Sequence, residues 1–298
     1  MKLGFVGFGE AAYQMAMGLF EEGLKDIVAY DQLWDDPIIG SLIKERAQKA
    51  SVELVHSLEE VSKNVSVLIV AVPANKAFAV SQSIFPFLNK DVLYVDVSAS
   101  SPDVKLKIDK LLKEKEIAFV DAAMMGPLTV YKHKVPILAS GEGADRFNIL
   151  MIAYNMEISI VSNVAGDAST TKLVRSIFMK GISTLLIEML SAASHFQVEK
   201  QVVDSIIETM NKSDFETTMN RLITGTAIHS ERRSSELDGV IHMLQAEGLS
   251  SAMTVATKET LDKVTASGLQ NKYQGVKPNS WEDVINVLNK ELLGELSK

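Results

Sequence analysis

The first half of the chain alternates two kinds of hydrophobic pattern. Short runs of consecutive apolar residues are separated by stretches in which apolar residues recur every three or four positions. Continuous apolar runs are typical of parallel strands covered on both faces, whereas the longer spacing is typical of amphipathic helices. The predicted strands are LGFVGF, DIVAYD, VSVLIVAV, DVLYVDV, EIAFVDAAM, VPILAS and MEISIVS. The pattern therefore predicts a doubly wound α/β domain with a mostly parallel sheet over residues 1–163.

The pattern changes after Asn163. From Ala168 to Phe196 there is no proline, and Gly181 is the only glycine, which predicts one long helix. Helical spacing continues in Val198–Met210, Phe215–Thr224, Ser230–Glu247 and Ser251–Ser267, and in a last segment that begins at Ser280. We see no strand pattern in residues 164–298. The sequence therefore predicts a second, all-helical domain directly after the first.

Composition and charge narrow the function. The net charge of −8 argues against sequence-independent binding to nucleic acid or anionic membranes, which needs clustered lysine and arginine. The absence of cysteine excludes thiolate catalysis and Cys-ligated zinc, and it suits a reducing compartment. We see no signal-peptide pattern, no apolar run near the length of a membrane span and no metal-ligand spacing among the histidines. We expect a cytoplasmic enzyme or binding protein, with no nucleic acid, membrane or metal partner.

A glycine-rich turn joins the first predicted strand to the first predicted helix. In GFVGFGEAAYQMAMGL, Gly7 suits a tight turn, Gly9 permits close approach of a pyrophosphate, and Ala12 is an accepted residue at the third position. The N–H groups expected to face the phosphates are those of Phe8, Gly9, Glu10, Ala11 and Ala12. We assign Glu10 no role beyond its N–H, because a carboxylate beside a pyrophosphate is unfavourable.

Asp31 ends the second predicted strand. It follows the turn by about 20 residues, where an acidic residue binds the adenosine ribose hydroxyls of a dinucleotide. The alternative is a solvated loop residue. Its carboxylate would repel a 2′-phosphate, and Lys44 and Arg46 on the next helix are the cations that would bind one if the cofactor were NADP. The sequence therefore predicts a Rossmann domain that binds NAD, with NADP as the alternative.

Five short segments then follow one another in a set order. They are GFGEAA, VAVPAN at Val70–Asn75, DVSASSP at Asp96–Pro102, DAAMMGP at Asp121–Pro127 and GDASTTKLVRS at Gly166–Ser176. Together they resemble the β-hydroxyacid dehydrogenases, which include 3-hydroxyisobutyrate and 6-phosphogluconate dehydrogenases. The second half is similar to the 6-phosphogluconate-dehydrogenase-like domain of an uncharacterised branch. The resemblance implies a homodimer formed mostly through residues 164–298, and an active site in the cleft between the domains.

The resemblance also implies roles for individual residues. Val72 and Pro73 would line the nicotinamide side of the cofactor, and Ser98 would lie near the nicotinamide ribose. Lys172 aligns with the catalytic lysine of the family, and Ser176 replaces the asparagine that usually follows it. We therefore expect Lys172 to be catalytic, with Ser98 and Ser176 orienting the reacting oxygen.

A lysine suits this chemistry. It can take a proton from a hydroxyl, or return one to a carbonyl, when burial and neighbouring positive charge lower its pKa. Lys172, Ser176 and Lys180 share one helix face, and Arg175 borders it. This pattern indicates either a solvated basic face or a site for an anion. Because the helix is otherwise apolar, we expect it to be largely buried, with Arg175 and Lys180 contacting a small anionic substrate.

A second polar cluster lies in HSERRSSE. His229, Arg232, Arg233 and Glu236 share one helix face. They form either a surface or dimer salt-bridge network, or a site in which an arginine such as Arg233 contacts the substrate anion, in the same or the neighbouring subunit.

The chain departs from its relatives where many of them hold the substrate carboxylate with Ser-Gly-Gly. Here the aligned residues are Met125, Gly126 and Pro127. Methionine cannot donate the hydroxyl hydrogen bond, and proline has no N–H, which leaves Gly126 and an apolar Met125 wall for substrate binding.

We therefore predict an NAD(P)-dependent oxidoreductase. It transfers a hydride between nicotinamide and a 3-hydroxy acid or a related anionic hydroxy or carbonyl compound, with Lys172 as general acid and base. The alternatives are an imine-type reductase similar to pyrroline-5-carboxylate reductase, and a non-catalytic sensor that binds NAD.

Overall fold

The computed structural model describes residues 1–295. Its chain divides into two compact units, Met1–Ile177 and a second unit from Phe178 onward. The division falls inside one long helix, so the opening turns of that helix belong to the first unit.

The first unit alternates strands and helices as the hydrophobic pattern predicts. Its strands are β1 (Leu3–Val6), β2 (Ile27–Tyr30), β3 (Glu53–Leu54), β4 (Val67–Val70), β5 (Leu93–Asp96), β6 (Ala118–Met124), β7 (Ile137–Ser140) and β8 (Ile158–Ser162). Its helices are α1 (Glu10–Glu21), α2 (Ile39–Lys49), α3 (Leu58–Ser62), α4 (Ala77–Ile84), α5 (Pro102–Lys113), α6 (Leu128–Tyr131) and α7 (Ala144–Met151). Short 3₁₀ turns lie at Ala74–Lys76, Phe85–Phe87, Lys132–Lys134 and Ile152–Tyr154.

The strands form one sheet in the order β3-β2-β1-β4-β5-β6-β7-β8. All neighbouring pairs are parallel except β6 and β7, which confirms the prediction of a doubly wound, mostly parallel sheet. The sheet has an apolar core on each face, because its central strands are buried on both sides. Successive strands are added to one side of β1 as far as β3 and to its other side from β4 onward. Ligands of such sheets bind at the carboxyl ends of the strands beside this switch point.

Helix α1 packs unusually closely against the segment that precedes β7. His133 is 3% exposed and lies directly over Gly18 of α1. A Cβ at Gly18 would lie 2.0 Å from His133 Nδ1, so this contact requires glycine. Burial lowers the pKa of His133, against the opposing charge of the Glu22 carboxylate.

The second half of the chain is helical, as predicted. The helices are α8 (Asp167–His195), α9 (Glu199–Met210), α10 (Phe215–Ala246), α11 (Ala252–Ala266), α12 (Leu269–Lys272) and α13 (Trp281–Glu295). The segments predicted as two helices on either side of residues 225–229 form one helix, α10, which is kinked at His229 by its non-helical backbone.

Helix α8 differs from expectation in its exposure. We predicted a largely buried helix, but Val174, Ile177 and Ile187 are 62%, 74% and 65% exposed in the single chain. The expectation of burial within one chain is therefore wrong, and α8 presents an apolar surface. None of the helices in residues 1–295 is both long and apolar enough to span a bilayer.

Candidate functional site

The turn after β1 is built around Gly7. Its φ is +83°, and its N–H donates to the Tyr30 carbonyl oxygen at 2.8 Å. A Cβ here would lie 2.5 Å from the Ala71 carbonyl oxygen and 2.8 Å from a methyl group of Val72. The protein itself therefore requires glycine at this position, because the backbone conformation and the neighbouring β4 loop both exclude a side chain.

Gly9 is different, because nothing in the chain requires it. Its φ is −73°, which any residue adopts, and a Cβ here would meet no atom within 4 Å. Tyr13 donates the first intrahelical bond, to the Gly9 carbonyl oxygen, so the amides of Glu10, Ala11 and Ala12 precede it. Gly9 thus keeps open a space in front of a helix N-terminus. That space fits the pyrophosphate of a dinucleotide.

Ala12 occupies the third position of the fingerprint. Its side chain is fully buried in the core between α1 and the sheet, together with Met15 and Ala16. A methyl group fits this helix–sheet contact, so alanine leaves the turn intact.

Asp31 lies at the end of β2 and holds the turn. Its two carboxylate oxygens accept from the Phe8 N–H at 2.7 Å and from the Leu33 N–H at 2.9 Å. The Phe8 N–H, which we expected to face a phosphate, is therefore bonded to Asp31 instead. The Phe8 side chain lies in the core. Each carboxylate oxygen retains a second lone pair, which can accept from a ribose hydroxyl.

The two cations considered for a 2′-phosphate have other partners. Arg46 pairs with the Glu10 carboxylate, which also accepts from Gln14 at 2.8 Å. The Glu10 side chain is therefore engaged along the helix surface. Lys44 Nζ lies 5.5 Å from the centre of the Trp34 ring.

Two further predicted cofactor segments follow β4 and β5. Val72 is half-buried and Pro73 is exposed just after β4. Ser98 is buried; its N–H donates to Asp96 Oδ1 at 2.8 Å and its hydroxyl donates to Ser100 Oγ at 3.0 Å. Both segments lie at the carboxyl edge of the sheet, next to the glycine turn.

The start of α8 is fixed to the sheet. Ser169 donates its N–H to Asp121 Oδ2 at 2.9 Å and its hydroxyl to Asp121 Oδ1 at 2.7 Å. Asp121 is paired in register with Asp96, the last residue of β5. The first turn of α8 therefore lies beside the carboxyl end of β5.

Lys172 follows one turn later and is half-buried. The Ser176 hydroxyl donates to the Lys172 carbonyl oxygen at 2.9 Å, which occupies its proton within the helix. Arg175 is exposed. These three residues belong to the first unit, together with Ser98 and the glycine turn.

Other predicted substrate residues lie in the second unit. Lys180 is exposed on α8. Arg233 contacts the Thr226 hydroxyl across the kink of α10, and Arg232 forms an exposed ion pair with Glu236. Within the second unit, Arg232 and Arg233 thus contact residues of their own helix, α10.

The segment that replaces Ser-Gly-Gly offers little to a carboxylate. The Met125 N–H donates to the Pro136 carbonyl oxygen at 2.8 Å, and Pro127 has no N–H. Gly126 supplies the remaining amide of the three.

A buried cluster of charged side chains at the carboxyl edge of the sheet was not predicted from the sequence. Lys105 on α5 is fully buried, and its Nζ lies 3.2 Å from Asp121 Oδ1 and 3.4 Å from Asp96 Oδ2. Burial raises the pKa of Asp96, which the Lys105 charge opposes, and burial raises the pKa of Tyr94. A signal was present, because Lys105, Ile108 and Leu112 share the apolar face of α5.

Comparisons with known proteins agree with this geometry. A family model described as the NAD binding domain of 6-phosphogluconate dehydrogenase matches residues 2–156, and one described as a domain of unknown function (DUF1932) matches residues 193–264. An uncharacterised 28.5 kDa protein from Methanothermus fervidus is 28% identical over 258 residues, which cover 87% of this chain and 96% of that protein.

Solved structures give the same picture. A conserved protein of unknown function, described as structurally similar to 3-hydroxyacid dehydrogenases, is 30% identical, with a TM-score of 0.60 and coverage of 91% of this chain and 99% of that chain. An imine reductase variant from Myxococcus stipitatus, solved with NAD⁺, has a TM-score of 0.74 over 98% of both chains, but at 12% identity this shows the fold alone. An imine reductase from the same organism was also solved with NADP⁺.

The glycine turn, the open space at Gly9 and the matched domains support one conclusion. The chain carries an NAD-binding domain followed by a helical domain of uncharacterised function, and it belongs to the 6-phosphogluconate dehydrogenase-like family with the 3-hydroxyacid dehydrogenase fold.

Proposed function

We propose that the chain is an NAD-dependent dehydrogenase or reductase that acts on a small anionic 3-hydroxy acid or on the corresponding carbonyl compound. The observation that carries this proposal is the anchoring of α8 on Asp121. It fixes the first turn of α8, which leads into Lys172, beside the carboxyl end of β5, the strand that precedes Ser98.

In this proposal the chain supplies proton transfer and orientation. The nicotinamide, when bound, supplies the acceptor or donor of the hydride. Lys172 takes the hydroxyl proton during oxidation and returns a proton to the carbonyl oxygen during reduction. Ser98 orients the reacting oxygen, and Ser176 stays a prediction from the sequence for the same role. Lys180, Arg175 and Arg233 stay predictions from the sequence as contacts of the substrate anion.

The cofactor is expected to be NAD rather than NADP. The Asp31 carboxylate ends β2 beside the glycine turn and would repel a 2′-phosphate bound there, and Arg46 is paired with Glu10. Both contacts favour a free ribose hydroxyl over a phosphate.

The test is nicotinamide absorbance with a panel of 3-hydroxy acids and their carbonyl counterparts, using both cofactors. Lys172→Met is expected to lower kcat by at least about 100-fold, because general acid–base catalysis contributes this much. NADH binding is expected to survive, and Lys107→Met, which removes an exposed lysine from α5, is the matched control. Turnover that persists in Lys172→Met would remove this residue from the mechanism.

An imine-type reductase is the second candidate. The segment at Met125, Gly126 and Pro127 favours it, because it lacks the hydroxyl and one of the amides that hold a carboxylate. Imines of uncharged amines therefore belong in the same panel, and turnover of these alone would support this reaction. Tight NADH binding without turnover of any compound would instead favour the sensor.

We also propose that a second copy of the chain covers the apolar surface of α8. Exposed apolar surfaces of this kind mark interfaces, and Ile187 is 65% exposed on it. Light scattering is expected to give twice the chain mass of 32.6 kDa. Ile187→Glu is expected to shift the protein to monomer, and a monomeric wild type would contradict the proposal.

A further inference from the structure

Lys105 connects segments that are distant in the sequence. From α5, its ammonium group donates to the carbonyl oxygens of Asp96 and Ser98, both at 3.0 Å. These two carbonyls begin the segment that is expected to contact the nicotinamide ribose. Lys105 therefore holds the backbone of this segment directly.

The same ammonium group also contacts Asp121, the residue to which the start of α8 is bonded. It lies 3.2 Å from Asp121 Oδ1, the oxygen that accepts the Ser169 hydroxyl bond. The other Asp121 oxygen accepts the Ser169 N–H. Lys105 thus contacts Asp121, which in turn accepts two hydrogen bonds from Ser169 in the first turn of α8, three residues before Lys172.

We propose that Lys105 is a positioning residue, which holds the Ser98 segment and the first turn of α8 in one fixed arrangement. Its effect on turnover rests on the proposed function. Its effect on the two segments does not, and can be measured without a substrate.

Stability alone is a poor explanation for this cluster. A buried group of one cation and two carboxylates carries a desolvation penalty, and well-packed apolar residues often replace such groups without loss of stability. What an apolar side chain cannot replace is the pair of hydrogen bonds to carbonyl oxygens together with the ion pairs to Asp96 and Asp121. The chain therefore keeps a charged residue at a position that the pattern of α5 would fill with an apolar one.

The experiment compares Lys105→Met with Lys107→Met by native-state hydrogen exchange. In Lys105→Met we expect exchange about 10- to 100-fold faster in residues 96–101 and 167–172, because charge-assisted hydrogen bonds are lost. Exchange in α1 should stay at the wild-type rate, and Lys107→Met should match wild type throughout. Unchanged exchange in both segments, or an equal rise over the whole chain, would overturn the proposal.

A second variant covers the case in which Lys105→Met does not fold. Ser169→Ala removes one hydroxyl bond on the far side of Asp121. We expect faster exchange in residues 167–172 and unchanged exchange in residues 96–101. Unchanged exchange in both would show that the Asp121 contact does not hold α8.

The activity measurement uses a compound that the wild type turns over. Lys105→Met is expected to lower kcat about 100-fold, as a displacement of about 1 Å between reacting groups does. The NADH dissociation constant should change by much less than kcat, because the glycine turn and Asp31 stay intact, and titration of binding sites with NADH corrects for unfolded protein. If the wild type turns over no compound, the proposed function fails while the exchange data still decide the role of Lys105.

Discussion

Replacing Gly9 with alanine tests whether glycine is required at this position for folding or for cofactor binding. The added Cβ meets no atom within 4 Å, and the φ of −73° suits alanine. Restricting the unfolded chain would stabilise the protein by about 0.4–1 kcal/mol. Alanine is a poorer helix N-cap than glycine, which costs about 0.5 kcal/mol or more. We therefore expect the free energy of unfolding to change by less than about 1 kcal/mol.

Cofactor binding should respond far more strongly. The methyl group would occupy the space in front of the amides of Glu10, Ala11 and Ala12, and would push a pyrophosphate away from them. Loss of one or two hydrogen bonds to a charged group costs about 1.5–3 kcal/mol each. At 1.4 kcal/mol for each factor of ten, the dissociation constant of NADH should rise about 100-fold.

The assay is a fluorescence titration with NADH, together with urea unfolding. Gly7→Ala is the contrasting variant, because its Cβ would lie 2.5 Å from the Ala71 carbonyl oxygen at a φ of +83°. It should lose about 2–4 kcal/mol of stability from strain and overpacking. Wild-type NADH affinity in Gly9→Ala would refute the assignment of this space to the pyrophosphate.

Two further changes test the cofactor preference and the buried histidine. Asp31→Ser removes a charge that would face a 2′-phosphate, so the ratio of NADPH to NADH affinity should rise by about 10-fold or more, as titration with both cofactors would measure. Because burial lowers the pKa of His133, the unfolded chain takes up a proton below about pH 6.5 that the folded chain does not. The free energy of unfolding should therefore decrease as the pH is lowered below about 6.5, by at most about 1.4 kcal/mol per pH unit. His133→Gln should remove this contribution, as urea unfolding at several pH values would measure.

Each change has a matched control. Asp35→Ser removes an exposed acid from the loop after β2 and should leave cofactor selectivity unchanged. His242→Gln replaces an exposed histidine and should leave the pH slope as in wild type. An unaltered affinity ratio in Asp31→Ser, or an unaltered slope in His133→Gln, would contradict the respective argument.

The sequence pattern predicted the sheet because its strands are apolar on both faces. It also predicted α8 and the separate helices that follow, because proline and glycine are scarce there. Strand β3 was missed, since Glu53 and Leu54 are too few to form a pattern. The break in α10 was overestimated, because a helix with a kink at His229 and a true loop look alike in sequence.

The candidate site was predicted unevenly. The glycine turn has spacing rules that follow from backbone geometry, so Gly7, Gly9 and Asp31 could be found directly. Lys105 was missed because reading a helix from apolar spacing treats a lysine as a surface residue. The burial of α8 was overestimated because an apolar pattern shows which face avoids water, and not which chain covers it.

The contact between Gly18 and His133 has a consequence for the evolution of this chain. With 2.0 Å between a Cβ at position 18 and the imidazole, position 18 cannot take a side chain while His133 keeps its place. We expect homologues with alanine or a larger residue at position 18 to carry a smaller side chain at position 133. The two positions, far apart in the sequence, should therefore change together across the family.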